Sequence, residues 1–378
     1  MRVLRARPLV SGVWTLQTAS CCTRLDEVPQ LTGKVYLPNT AAYEQRLDTY
    51  YSANTALSPW CMVMPNSTED VSKIVKVLAA NGCPFGIRSG AHSAYKGANS
   101  VEDGVTIDFS YMKRTVYDSK NRIARIEPGS NWGLVYEALD PYGVAAVGGR
   151  AFPVGVGGFT TGGWAILSNS DAIESPSSFS KLFSIPSTFN TTAKGKVADV
   201  VPQFTGPTPL GLYANWMTGT TTNDIRIMTF MHDKLDEYVD KMRASAPDSK
   251  FSVLVQFQPV AQSMVEHSRE NGGNVLGLES VVAKGPALMW LIAVTVDIEQ
   301  NQQKIDQFTR AFKENVNAYA AEMGIGYPWV YLNYARGGQD PLLHYGDDNV
   351  ELIKKASKKY DPDGIFQNLR RSGFKIPV

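Results

Sequence analysis

Two glycine-rich stretches hold the residues best suited to do chemistry: RSGAHS at 88–93 and VGVGGFTTGG at 154–163. Glycine lets a backbone N–H come close to a ligand with no side chain in the way, so such stretches can cradle anionic groups. In the first, Ser89, Gly90, Ala91 and Ser93 offer donors, and Arg88 can assist them or pair with a carboxylate. His92 stands among them, one of four histidines in the chain. An imidazole in that setting can act as nucleophile, base or attachment point, although a loop histidine can equally be a surface hydrogen-bonding residue. Neither stretch has the G-x-G-x-x-G or G-x-x-x-x-G-K-[ST] spacing, which argues against nicotinamide and nucleoside triphosphate sites. Without further context, both read equally well as tight turns.

The elements around these stretches are short. WCMVMP reads as a strand, and Ser67 or Thr68 can cap a helix with Val71, Ile74, Val75 and Leu78 on one face, ended by Gly82. FGIR then runs into the first glycine stretch. GVTIDFS and IARIEPG read as strands, WGLVYEAL as a helix, and AAVGG leads into the second stretch. Beyond about residue 204 the texture changes. IRIMTFM, FSVLVQFQP and LMWLIAVTVD read as strands between longer amphipathic helices, the clearest carrying Ile305, Phe308, Phe312, Val316 and Tyr319. This pattern suggests an antiparallel sheet with helices on one face. A last helix is expected near 350–360.

The bulk properties bound the function. The 378 residues suffice for two domains of ordinary size. With 19% charged residues and a net charge of +1, nothing favours nucleic acid, and no apolar run reaches the ~20 residues of a membrane span. The four cysteines, Cys21, Cys22, Cys61 and Cys83, lack metal-ligand spacing, so no metal is expected. A disulfide from Cys21 or Cys22 to Cys61 is expected if the protein is secreted. The N-terminus, MRVLRARPLVSGVWTLQTAS, is a weak secretory signal. Sequons at Asn66 and Asn190 accord with secretion but leave localisation open.

The span from SPWCMVMPNSTEDVSKIVKVLAANGCPFGIRSGAHS through VGGRAFPVGVGGFTTGG resembles the PCMH-type flavin-binding domain of the berberine-bridge-enzyme-like FAD-linked oxidases, within the vanillyl-alcohol-oxidase superfamily. YLNYARGGQDPLLHYG and YDPDGIFQNL resemble that family's C-terminal segment. The resemblance implies a two-domain α+β fold: an FAD-binding domain over 20–175, a substrate domain over 176–330, and a segment over 331–378 that returns to the flavin. It implies that Arg88 to Ser93 bind the FAD diphosphate, and that Val154, Gly155, Gly157, Gly158, Gly162 and Gly163 form the second flavin-facing loop. His92 takes the position of the family's covalent flavin link. No cysteine lies just before Val154, so a second covalent link is not expected. Tyr331, Asn333 and Tyr334 match a Y-x-N-Y segment near the flavin ring; strand alternation would put Tyr331 and Asn333 on one face and Tyr334 on the other. Tyr331 is the first candidate base, with Tyr334 beside it, provided that neighbours lower the phenol pKa. The implied reaction is hydride transfer from a small organic substrate, a carbohydrate or secondary metabolite, to flavin N5, with dioxygen as acceptor.

The chain departs from that family after residue 163. The glycine/serine-rich loop, the D-N-V and A-D-G segments and the N-F-G-I-V-T segment of a usual member have no counterpart, and roughly a hundred residues, about a small domain, are absent by that comparison. An incomplete FAD site with weak cofactor binding is therefore expected. The alternative function is a flavin-free remnant acting as a binding protein or non-redox enzyme.

Overall fold

The structure is a computed structural model, and it describes residues 16–163, 186, 195–205 and 209–377. Among these residues the fold is mixed α and β, with two four-stranded sheets and one hairpin. The first sheet joins β1 (Val35–Tyr36), β2 (Cys61–Val63), β3 (Phe85–Arg88) and β4 (Val105–Asp108) in the order β1-β2-β4-β3. The β2, β4 and β3 strands run parallel, and β1 is antiparallel at one edge. Helix Thr68–Ala80 makes the crossover; Ser67 caps it by accepting from the Asp70 N–H, and Ile74 and Leu78 bury its apolar face. The β5 (Thr115–Asp118) and β6 (Ile123–Ile126) strands form the hairpin.

Two disulfides fasten helix Leu16–Asp26 to this sheet. Cys22 bonds Cys61 at the start of β2, and Cys21 bonds Cys83 just before β3. Only one bridge was expected from the sequence. Adjacent residues on a helix point about 100° apart, so the neighbouring cysteines reach two different strand ends.

The second sheet is β7 (Tyr213–Thr222), β8 (Phe251–Val260), β9 (Ala287–Val296) and β10 (Gly326–Tyr327), antiparallel throughout in the order β10-β7-β9-β8. Trp290, Ile292 and Val294 of β9 pack under helices Ile225–Ser245 and Gln302–Glu322, while alternate residues face the other way. IRIMTFM, expected as a strand, is instead the start of helix Ile225–Ser245. Asp224 caps it, and Ile227, Met231, Tyr238 and Met242 are buried at helical spacing. The strand role falls to YANWMTGTTT, which the apolar pattern does not reveal because four of its ten residues are threonine.

The C-terminal residues divide between the two regions. Trp329, Tyr331 and Tyr345 join the core formed by Val260, Leu278 and Met289. Farther on, Phe85 and Leu369–Arg371 exchange backbone hydrogen bonds along the β3 edge. No described helix is long and apolar enough to cross a membrane.

Candidate active site

The two glycine stretches interlock. A Cβ on Gly90 would lie 2.4 Å from the Gly155 Cα, and one on Gly155 would lie 2.3 Å from the Gly90 nitrogen. Only hydrogen fits at either position. Ser89 Oγ donates to the Pro128 carbonyl (2.5 Å), which fixes the first loop against the segment leading to helix Trp132–Leu139. Ala91 holds a left-handed conformation (φ 55°), so the chain turns sharply just before His92. The second stretch winds into helix Val156–Thr161, and a Cβ on Gly158 would meet nothing within 4 Å.

These walls bound a cavity of about 1020 Å³ that also reaches the second sheet and the C-terminal residues. Ser89, Gly90, Ala91, His92 and Ser93 line it from one side, and Val154, Gly155, Gly157 and Gly158 from another. Tyr331, Asn333 and Tyr334 close it opposite. The Arg88 side chain points elsewhere. It is 1% exposed, pairs with Asp108 (3.3 Å), donates to Arg46 O and Thr49 Oγ1, and lies over the Tyr50 ring. The guanidinium therefore supports the loop from below. Gly162 and Gly163 are also off the cavity wall, where a Cβ would strike Asn333 and Leu276 respectively. Their role is to let other residues pack closely.

Tyr331–Tyr334 is a turn, with the Tyr334 N–H donating to the Tyr331 carbonyl (3.0 Å), so the alternation expected of a strand does not apply. The two rings instead meet edge to face at 4.9 Å. Asn333 Nδ2 donates to the Tyr331 hydroxyl (2.7 Å) and the Phe159 carbonyl (3.1 Å), tying this turn to the second glycine helix.

An aromatic series crosses the cavity. His92 stacks on Tyr51 at 4.1 Å, Trp216 follows 6.0 Å from His92, and Tyr334 meets the Trp216 edge at 5.6 Å. His92 Nε2 is buried without a hydrogen-bond partner, and burial lowers the imidazole pKa to about 4. Its ring is thus neutral at pH 7 and keeps a free nitrogen. Burial raises both Tyr331 and Tyr334, although Arg150 pulls each downward. The expectation that neighbours lower these phenols fails, because desolvation outweighs the nearby guanidinium.

Sequence reasoning missed several wall residues, including Tyr51, Arg150, Trp216 and Gln256. Strand alternation contains part of the signal: Leu254 and Gln256 of β8 face the cavity, and Val253 and Val255 face the helices. Arg150, Arg336 and Arg370 are on the wall, whereas no carboxylate is, among the described residues. A cationic, glycine-walled cavity with an unpartnered imidazole nitrogen fits a bound diphosphate cofactor. No group of three or more metal-ligating side chains occurs among the described residues.

Residues 59–170, spanning both glycine walls, match the FAD binding domain family. The FAD-dependent monooxygenase sdcF of Emericella nidulans is 27% identical, in an alignment covering 94% of this chain and 98% of that protein. That alignment has 475 positions against a chain of 378 residues, so at least 97 positions of the relative have no counterpart here. Among solved structures, 6-hydroxy-D-nicotine oxidase from Arthrobacter nicotinovorans superposes with a TM-score of 0.66 at 13% identity, covering 93% of this chain and 99% of its own. A BBE-like 1 variant from Physcomitrella patens superposes with a TM-score of 0.53 at 13% identity, covering 95% and 99%.

Proposed function

We propose, from the premise that this chain is an FAD-dependent oxidoreductase with the fold of the berberine-bridge-enzyme-like oxidases, that it oxidises a small organic substrate, such as a secondary metabolite, with dioxygen as final acceptor. The observation that carries this reading is the convergence of both glycine walls, His92 and the Tyr331–Tyr334 turn on one cavity. Bound FAD supplies a hydride acceptor at N5 and carries the redox step. Ser89 to Ser93 and Val154 to Gly158 would hold its diphosphate through backbone donors. Residues 20–175 would form the cofactor domain and 176–330 the substrate domain, with 331–378 closing the cleft. Asn333 fixes the Tyr331 hydroxyl, and both phenols are protonated at neutral pH. Tyr331 and Tyr334 therefore begin by donating hydrogen bonds to a substrate oxygen. Either can accept the substrate's proton only as the neighbouring Arg150 offsets the growing charge.

His92 is the single candidate for a covalent flavin link. Its free nitrogen is neutral, and all four cysteines are held in disulfides with one another. Visible spectra of the purified protein before and after acid precipitation test the reading. Yellow colour retained in the pellet, and released to the supernatant by His92→Ala, is expected. Colourless protein that takes up no added FAD would overturn it. Oxygen uptake over alcohols, sugars and amines then checks turnover, and labelled dioxygen separates oxidation from oxygen insertion.

A second reading rests on the unmatched positions of the sdcF alignment. A less completely walled site leaves more of the cofactor in water, so we propose weaker FAD binding than in full-length relatives. Grafting the absent block from such a relative after residue 163 should lower the FAD Kd; an unchanged Kd would refute this.

A further inference from the structure

The three cavity arginines are not equivalent. Arg336 is neutralised by Asp306 at 2.5 Å, and Arg370 spends its guanidinium on the Ser372 and Phe374 carbonyls. Arg150 has no carboxylate partner among the described residues. It interacts with the phenols of Tyr334 and Tyr331, at the end of the aromatic series that starts at His92. A guanidinium on a half-enclosed wall, with aromatic faces beside it and no acid nearby, lacks a counter-ion that the fold itself does not provide. A planar anion meets this arrangement: its ring packs against Trp216 and Tyr334 while its charged oxygens take the guanidinium fork.

Building on the oxidoreductase reading, we propose that Arg150 is the specificity-determining residue for an anionic aromatic substrate, one with a carboxylate or acidic phenol on the ring. The phenol of Tyr334 beside it serves this role. Gln258 Nε2 donates to the Tyr334 hydroxyl (3.3 Å) and orients it, and Arg150 interacts with the same hydroxyl from the cavity wall. Gln256 adds a neutral donor from the sheet floor. A planar acid finds both rings and a cation on this wall, whereas a neutral ligand leaves the cation unpaired.

The test compares benzoate with benzamide, which share shape but not charge. Binding to the whole chain is measured by calorimetry with and without FAD, alongside a separate FAD titration. Benzoate should bind at least ten-fold more tightly than benzamide. Arg150→Gln should cost benzoate about ten-fold, equivalent to ~1.4 kcal/mol, and leave benzamide and FAD unchanged; Arg150→Lys should recover part of the loss. Equal binding of the two probes by the unaltered protein overturns the proposal and needs no variant. So does an FAD Kd that rises in Arg150→Gln with benzoate unaffected, since the guanidinium would then serve the cofactor. Failure of FAD to bind at all would instead sink the oxidoreductase reading, while the comparison of the two probes still decides the role of Arg150.

Discussion

The two sheets are held by different means. Strands of the first are two to four residues long, and its stability is supplemented by two disulfides, the buried Arg88–Asp108 pair and backbone contact between Gly90 and Gly155. Strands of the second reach ten residues, and two 21-residue helices cover them over a core that includes Trp290 and Phe312. Short strands bury little apolar area, so cross-links and close backbone packing must offset the chain entropy. Long strands under helices do so through burial alone. The cavity lies where these regions meet, with one glycine wall that tolerates no extra atom at Gly90 and Gly155 and one floor made of ordinary alternating side chains.

The largest effect should come from adding atoms where the glycine walls touch. In Gly90→Val, the new side chain meets backbone on the opposite wall, which cannot rotate aside. Saturable FAD binding should be abolished, as read by fluorescence titration. Persistent binding would mean that the two walls can part by enough to admit a side chain at Gly90. Next is Phe312→Ala in the second region, where the ring is fully buried and stacked on Tyr238 at 4.8 Å. About 3–5 kcal/mol should be lost in denaturant unfolding, with FAD affinity changed less than stability. A loss confined to FAD affinity would break the division drawn between the regions.

Removing the Cys22–Cys61 bridge by a double serine substitution should cost about 2–4 kcal/mol, because the bridge closes 39 residues of chain in the unfolded state. Circular dichroism melts would read the loss, and cysteine-free helix Ile225–Ser245 should be protected in hydrogen exchange as before. Equal deprotection of both regions would mean that they unfold as one.

The same contrast explains what the sequence discloses. The first region was legible because its signals are local: glycine pairs, the Ser67 cap and the FGIR strand ending at a glycine. Strand β8 and strand β9 were legible because long apolar runs leave few alternatives. The first turns of helix Ile225–Ser245 were misread, since the β-branched and aromatic content of IRIMTFM favours strand by propensity while tertiary burial at helical spacing decides otherwise. The candidate site was legible at its glycine walls, His92 and the Tyr331–Tyr334 turn. Tyr51 and Trp216 were not, because each is an aromatic residue among many and acquires its place only when distant segments meet. The direction of Arg88 was hidden for the same reason. Whether an arginine beside a glycine loop faces the ligand or the core depends on Asp108, twenty residues away on a neighbouring strand.

The smallest expected effect concerns His92, the one histidine that joins the two regions through its ring contacts with Tyr51 and Trp216. Burial lowers its folded pKa to about 4, whereas an unfolded histidine takes up its proton near 6.5. Between those values the unfolded chain binds more protons than the folded one, so stability falls as pH falls through that window. Above about 6.5 His92 contributes no pH dependence, and below about 4 the loss is complete. At pH 5.5 the loss should be roughly 1 kcal/mol, one pH unit inside the window. Glutamine lacks the titrating ring, so His92→Gln should flatten this part of the profile, in denaturant midpoints measured at pH 7 and pH 5.5. Exposed His267 of the second region provides the control, since His267→Gln leaves the buried imidazole in place. An unaltered pH response in His92→Gln would mean that the ring is hydrated in solution, and that its nitrogen is not held dry for a ligand.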